Sequence, residues 1–295
     1  MTAWMKCTGE DPVQLVRIRE NSFAYADLGD GFLRLIVIEG HYEEDFFRIA
    51  DALLGNGAVF LDVGANYGLL SFGLAGRHRD RIDFHLFEPN AGLVESIERS
   101  KALYPAMRCT VNRVAVSDRQ GVVSFFVNHE QTGASHILTE AAGDQAGELI
   151  QVPSIVLDTY IETAGIDRVD LLKLDIEGHE LVALHGGTRS LESRRIQAIY
   201  FEYFEKCLCR VQPPAELSAF LDSKGYRVCF CRKFDLDTRG GPSHTIAAGL
   251  SGHGLPLLPI EGHVPPAMTD LMAVPRENLV QLAEQKRSSN FCVRP

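Results

Sequence analysis

The sequence predicts an α/β fold: a mostly parallel sheet with helices on both faces. Three observations carry that expectation. Short apolar runs alternate with segments of helical period along most of the 295 residues, which is the rhythm of strand–helix–strand units. Several of these runs end in an acid, as at Asp62, Glu88, Asp175 and Glu202. Residues 58–68, Ala58 through Gly68, read as a buried strand that ends in an acid, turns on glycine and enters a helix. Open α/β sheets hold nucleotide-like ligands with that arrangement. One domain is expected, with an N-terminal cap at 1–57, a core at 58–234, a long insertion at 235–267, and a last strand with a C-terminal helix and tail at 268–295.

Composition narrows the function classes. With 45% hydrophobic and 23% charged residues the chain matches ordinary globular proteins. A formal net charge of −10 disfavours a nucleic-acid partner, and no basic tract offsets it. The first residues carry no apolar signal-type run, and no stretch approaches the ~18 apolar residues of a membrane span. Seven cysteines, an odd number, read as reduced thiols rather than a disulfide frame. A cytoplasmic protein with no membrane contact is the expectation, with homo-oligomerisation left open.

In chain order, residues 23–26 and 32–38 flank the turn at 27–31 and predict a hairpin. Phe46, Phe47, Ala50, Leu53 and Leu54 recur at helical spacing and predict a helix over 43–54. The motif strand leads to a helix at about 67–76 and a second strand at 82–87, stopped by Pro89, which cannot donate to a sheet ladder. Asn90 suits a cap for the next helix. A third strand is expected at 111–116, and further extended runs at 122–127 and 150–156. Between these two runs, residues 128–149 read as a loop at the mouth of the site. A short helix at 157–164 precedes strands at 169–175 and 196–201. A helix at 214–224, a strand at 226–232 and a last strand at 271–274 complete the sheet. The glycine- and proline-rich stretch at 235–267 reads as an irregular insertion.

Chemistry concentrates at the strand tips. The turn lacks G-x-G-x-x-G and the chain lacks the P-loop pattern, so the pyrophosphate-binding options lose their apparatus. An acid two residues ahead of Gly64 suits a ligand with a cationic amine, and S-adenosylmethionine is such a ligand. Glu88, 26 residues after Asp62, stands where an acid can accept from both ribose hydroxyls. Lys173 and Asp175 share a strand face, and a lysine in so apolar a strand calls for a partner: Asp175, Glu177 or Glu202. Singly, Asp62 could be a turn former, Glu88 a capping acid, and Asn66 a residue tolerating a left-handed turn. Their recurrence at successive strand tips favours function. The pairs Cys207/Cys209 and Cys229/Cys231 are C-x-C rather than C-x-x-C, so packing explains them better than zinc. A divalent metal at Asp175, Glu177, His179 and Glu180 is the less favoured reading, and no metal ligand is assigned. His244, His253 and His263 read as solvated loop residues.

Four blocks in order carry a resemblance: 62–68 (Asp-Val-Gly-Ala-Asn-Tyr-Gly), 87–90 (Phe-Glu-Pro-Asn), 115–118 (Ala-Val-Ser-Asp) with Gly121, and 172–180 (Leu-Lys-Leu-Asp-Ile-Glu-Gly-His-Glu). Leu157-Asp158, Leu184 with Gly186-Gly187, and Glu202 fall at smaller matches. Over roughly residues 58–204 the chain resembles the FkbM-type S-adenosylmethionine-dependent methyltransferases. The resemblance implies a Rossmann-like class I methyltransferase with a seven-stranded sheet whose last strand is antiparallel. It also implies methylation of oxygen on a sugar or secondary-metabolite scaffold, with S-adenosylhomocysteine as product. Carried over, Asp62, Gly64, Asn66 and Gly68 line the methionine end of the cofactor, Glu88 and Asn90 the ribose side, and Asp118 the adenine. Asp175 borders cofactor and acceptor. Asp175, Glu177 or His179 is the expected general base, and Lys173 the residue that holds the carboxylates. The rivals are an NAD-dependent oxidoreductase and a non-catalytic protein that binds S-adenosylmethionine on the same fold. A nucleic-acid methyltransferase is disfavoured by the acidity and by the absence of Asn-Pro-Pro-Tyr.

Overall fold

The computed structural model describes residues 12–31, 33, 42–78, 80–138, 147–211, 213–232, 244–246, 255–260 and 265–281. Strands β1 (Val13–Arg19) and β2 (Ser22–Asp27) form an antiparallel hairpin, followed by α1 (Glu44–Leu53). The central order is then β3 (Ala58–Val63), α2 (Leu69–His78), β4 (Ile82–Phe87), α3 (Ala91–Lys101) and β5 (Arg108–Asn112). Next come β6 (Ala115–Ser117), β7 (Gly121–Val127), β8 (His136–Ile137) and β9 (Glu148–Val156), then α4 (Leu157–Thr163), β10 (Leu171–Leu174), α5 (Glu180–His185) and α6 (Thr188–Glu192). The chain continues through β11 (Ile199–Phe204), α7 (Glu205–Leu208), α8 (Pro214–Ser223) and β12 (Tyr226–Phe230). The last strands are β13 (His244–Ile246), β14 (Pro256–Pro259), β15 (Met268–Pro275) and β16 (Leu279–Gln281).

The main sheet runs β5-β4-β3-β10-β11-β15-β12-β14-β13-β16. β5, β4, β3, β10 and β11 are parallel, and β15 lies antiparallel between β11 and β12. The first seven positions match the expected sheet, including its antiparallel strand. The count differs: β14, β13 and β16 extend the β12 edge to a ten-stranded sheet. β13 and β14 come from the segment 235–267, so part of that expected irregular insertion is strand; its other residues lie mostly outside the described ones. Past β15 the described chain is a 3₁₀ turn and β16 rather than a polar helix, and residues 282–295 lie outside the described ones.

Two further expectations shift. The hairpin uses the turn at Glu20-Asn21, with Asn21 left-handed, one strand earlier than the composition of 27–31 suggested. Most of 32–38 lies outside the described residues. The expected third strand over 111–116 divides: β5 stays in the main sheet, whereas β6 joins the four-stranded sheet β6-β9-β7-β8. One apolar run thus serves two sheets, and the break falls at Arg113-Val114.

Strand alternation sorts the core. Phe60, Phe84 and Tyr200 face the side covered by α1, α2 and the hairpin, where Phe46 meets Tyr200 edge-on at 5.2 Å. Leu61, Val63, Leu172 and Phe201 face the side covered by α4, α5, α6 and α8. Both faces are covered, which is why β3 and β10 read as continuous apolar runs. The hairpin closes over α2, with Ser22 Oγ donating to Gly73 O at 3.0 Å, so residues 69–75 of α2 are all buried. Asp62 and Lys173 stand in register on the α1/α2 side of the sheet. Their meeting is therefore set by parallel strand pairing, not by neighbourhood in sequence.

Candidate active site

The glycine turn is shaped by how closely β3 approaches β10. Gly64 has φ +76, and a Cβ there would lie 1.9 Å from the Asp175 carbonyl oxygen, so only glycine fits. Gly64 and Ala65 donate their N–H groups to Phe87 O at 3.0 Å each, tying the turn to the tip of β4. Asn66 follows in the left-handed region with φ 53. Its N–H donates to Glu88 Oε2 at 2.9 Å, while the Asn90 N–H donates to Glu88 Oε1 at 2.9 Å. Glu88 is 5% exposed, and burial pushes its carboxyl up to about 7 against the lowering by those two N–H groups. Asn90 turns its own oxygen to Gly92 N at 2.9 Å and caps α3, as its sequence position suggested.

Two cavities meet at this turn. The first, about 590 Å³, is lined on its apolar side by Phe87, Pro89, Val116, Phe125, Ile137 and Ile176, with Glu88 at its rim. The second, about 1360 Å³, opens past Tyr42, Lys173, Glu177, Tyr200, Glu202 and Asp270. Gly64, Asn66, Gly133 and Asp175 border both. The shape suits an elongated ligand in the first cavity whose reactive end faces a second ligand in the other.

The charged residues divide in a way that spacing alone did not reveal. Lys173, 4% exposed, donates to Gly64 O at 2.7 Å and lies 3.4 Å from both Asp62 Oδ1 and Asp175 Oδ2. Burial lowers the pKa of its ammonium, but Asp175 and Asp62 outweigh burial and hold it above the usual lysine value. Of the three expected partners, Asp175 is one; Asp62, one strand over, is the other. Asp62 also accepts from Ser71 Oγ at 2.6 Å, so its carboxylate turns to Lys173 and α2 and does not line either cavity. Gly68 and Asn90 likewise stand behind the walls, at a helix start and a helix cap. Asp118 accepts from Ser117 Oγ at 3.2 Å and Arg119 Nε at 3.3 Å, outside both linings, while Ala115 and Val116 of its block do line the first cavity.

His179 lines neither cavity. It is buried where α5 begins, with Nε2 3.1 Å from Ser117 Oγ, and burial pushes its imidazole down to about 4. The residue before a helix faces the packing layer against β6, which explains why proximity in sequence to Asp175 misleads. Glu180 turns inward too, accepting from Ile176 N at 3.1 Å and Gly178 N at 3.3 Å. Burial outweighs those bonds and pushes its carboxyl up to about 7. Glu177 does face the second cavity, held at φ 56, and accepts from Cys207 Sγ at 3.1 Å. Burial and then Asp175 push its carboxyl up to about 7. Among the described residues, the acids close enough to share a cation are Asp175, Glu177 and Glu202, not the set with His179 and Glu180. Cys207, Cys209, Cys229 and Cys231 are free thiols and join no such group.

Residues from the small sheet were missed. Thr132 N and Oγ1 donate to the buried Asp30 Oδ2 at 3.0 and 2.6 Å, and Thr132 Oγ1 lies 3.2 Å from Asn66 Oδ1. Thr132, Ser135, Phe125 and Ile137 thereby roof the first cavity. Only the reading of the polar, glycine-containing 128–149 as a loop at the mouth of the site hinted at them.

The family model of the methyltransferase FkbM domain matches residues 62–228, more than half of the chain. The chain belongs to the FkbM methyltransferases. It is therefore a methyltransferase of an S-adenosylmethionine-dependent class, and the oxidoreductase alternative falls away. Among relatives, the 2-O-methyltransferase NoeI of Sinorhizobium fredii is 27% identical over 176 residues, covering 56% of this chain and 70% of that protein. The hexuronic acid methyltransferase AglP of Haloferax volcanii is 24% identical over 152 residues, covering 51% of this chain and 59% of that protein, less than two thirds of its length. The crystal structure of the methyltransferase FkbM from Methylobacillus flagellatus aligns with a TM-score of 0.40 and 15% identity, over 74% of this chain and 43% of that one. Among the described residues of this FkbM methyltransferase, no helix is long and apolar enough to cross a membrane.

Proposed function

We propose that this chain transfers the methyl group of S-adenosylmethionine to a hydroxyl of a small-molecule acceptor, a sugar or secondary-metabolite scaffold. The observation that carries the proposal is the meeting of two cavities at Gly64, Asn66 and Asp175, with the Glu88 carboxylate at the rim of one and a group of acids in the other. The residues fit the cofactor. Each Glu88 oxygen takes one backbone N–H and keeps lone pairs for a ribose hydroxyl. Phe87, Val116, Phe125 and Ile176 form an apolar slot of the kind a purine fills. Asp62 is read as a positioning residue: through Lys173 and Gly64 O it holds the floor on which the methionine end rests.

S-adenosylmethionine supplies an activated methyl on a sulfonium. The protein's own part is alignment, exclusion of water and removal of the acceptor proton. Glu177 is the general base in this reading, because it lines the acceptor cavity and its carboxyl sits near 7, where a base works at neutral pH. Asp175 borders both cavities and fixes Lys173. The similarity to an O-methyltransferase and to a hexuronic acid methyltransferase supports oxygen as the target atom. The net charge of −10 fits a small acceptor better than a nucleic acid.

Calorimetry with S-adenosylmethionine tests the cofactor part. Wild type should bind, and Glu88→Ala should lose about 10- to 100-fold in affinity, the worth of one or two hydrogen bonds to a charged group. Equal affinity would remove Glu88 from the ribose. For the base, Glu177→Gln should lower turnover by about 10²- to 10⁴-fold with cofactor affinity kept. Unchanged turnover would reassign the base. Cofactor binding without S-adenosylhomocysteine release from any hydroxylated acceptor would favour the non-catalytic reading.

A further inference from the structure

We infer that the acceptor carries a positively charged nitrogen close to the hydroxyl that is methylated: a hydroxylated amine such as an amino sugar or aminocyclitol. The inference rests on the methyl-transfer reading above and names the substrate class of that site.

Among the described residues, the acceptor cavity is lined by five carboxylates, Glu43, Asp175, Glu177, Glu202 and Asp270, against one ammonium, Lys173. Lys173 is already committed to Asp62, Asp175 and Gly64 O. Asp175 borders the cofactor cavity, so part of its charge faces the sulfonium end, and Glu177 is taken as the base. Glu43, Glu202 and Asp270 have no such explanation. They stand together on the outer wall, shared with an adjoining cleft of about 900 Å³ and away from the cofactor cavity. Among the described residues of that wall the one cation is Arg232, 3.8 Å from Asp270 and half-exposed. Tyr200, 4% exposed, lines the same cavity; its buried hydroxyl lies beside the Asp270 carboxylate but makes no well-aligned hydrogen bond among the described residues.

Register explains the cluster. Glu202 pairs with Asp270 across β11 and β15, and Tyr200 sits two residues before Glu202 on the same strand face. Glu43, just ahead of α1, closes over them. Burial first, and then repulsion from the neighbouring acids, Asp175 included, raises the carboxyls of Glu43, Glu202 and Asp270 above the usual range, with Arg232 partly offsetting it at Glu43 and Asp270. A neutral polyol can hydrogen-bond to such a wall but gives its carboxyls no counter-charge when they ionise, and a carboxylate- or phosphate-bearing acceptor is repelled. A bound ammonium favours the ionised, acceptor-only form of these raised carboxyls and offers three donors on a compact centre. A divalent ion at Asp175, Glu177 and Glu202 is the less suited occupant, because the Lys173 ammonium is held 3.4 Å from Asp175.

The experiment measures binding to the full chain saturated with S-adenosylhomocysteine, by ligand-observed NMR at up to tens of millimolar. The probes are glucosamine, galactosamine and 2-deoxystreptamine, each beside its N-acetylated form, with glucuronate as the anion and magnesium chloride as the metal control. The amines should bind about 10- to 100-fold more tightly than their acetylated forms, as a charge-assisted contact predicts. In Glu202→Gln and Asp270→Asn that preference should fall by about tenfold or more, with S-adenosylhomocysteine affinity kept. Acetylated forms or glucuronate binding as tightly as the amines would overturn the inference. So would magnesium displacing the amines, no amine binding while S-adenosylhomocysteine binds, or a preference that survives both substitutions. Failure of S-adenosylhomocysteine itself to bind would instead strike the cofactor reading.

Discussion

Replacing Lys173 by methionine isolates the electrostatic joint beneath the site. Methionine keeps much of the side chain's volume and can pack beside Phe60 and Tyr200, so the change removes chiefly the ammonium. Three oxygens lose their partner: Gly64 O at 2.7 Å, and Asp62 Oδ1 and Asp175 Oδ2 at 3.4 Å. Asp175 is 46% exposed at its side chain and falls back on water. Asp62, at 1%, keeps only the Ser71 hydroxyl. Breaking a buried pair from one side costs about 3–5 kcal/mol, because the remaining charge stays desolvated. At roughly 2–4 °C per kcal/mol for a chain of this size class, melting should fall by about 6–20 °C. The assay is urea and thermal unfolding of the unliganded protein at neutral pH. Asp62→Asn added to Lys173→Met should recover about 2 kcal/mol or more, since it removes the stranded charge. A loss below about 1 kcal/mol, or no recovery in the double variant, would refute the claim that Lys173 and Asp62 form one buried unit.

Two other outcomes follow from the same geometry. Gly64→Ala should cost about 2–5 kcal/mol, combining a left-handed alanine with overpacking against Asp175 O, and should abolish cofactor binding. Gly165→Ala, also left-handed at φ +64 but with no atom within 4 Å of the new Cβ, should cost only the conformational part, about 1–2 kcal/mol. Equal losses in the two would remove the steric argument. The unliganded protein should also melt higher at pH 6.5 than at pH 8, a reading taken across a window bounded by the ordinary histidine value. Glu88, Glu177 and Glu180, pushed up to about 7 from 4.5, bind more protons folded than unfolded in that window, so stability falls as pH rises. Below it, His85, His136 and His179, all lowered by burial, act in the opposite sense and flatten the curve. A melting temperature that rises between pH 6.5 and 8 would contradict the burial of these carboxyls.

Much of this protein is legible in local pattern, because local pattern is what strands and turns obey. β4 spans the predicted 82–87, and the glycine turn at Gly64 and the cap at Asn90 fall where composition put them. Each depends on residues within a few positions of one another. The first seven strands of the sheet follow from apolar runs separated by helices, since such runs have few ways to bury both faces. The sequence by itself thus determined the architecture and the glycine turn at the tip of β3. Tertiary structure decided which charges meet. Strand register set Asp62 against Lys173 and Glu202 against Asp270, although 111 and 68 residues separate them along the chain. The packing of α5 against β6 turned His179 away from a cavity that Glu177, two residues earlier, faces. The small sheet and the turn after β7 brought Phe125 and Thr132 over the first cavity, where the sequence offered only a loop at the mouth of the site and named neither residue. Side-chain chemistry is written in the chain, but burial and proximity of distant charges are not, because both are properties of the pairing of strands.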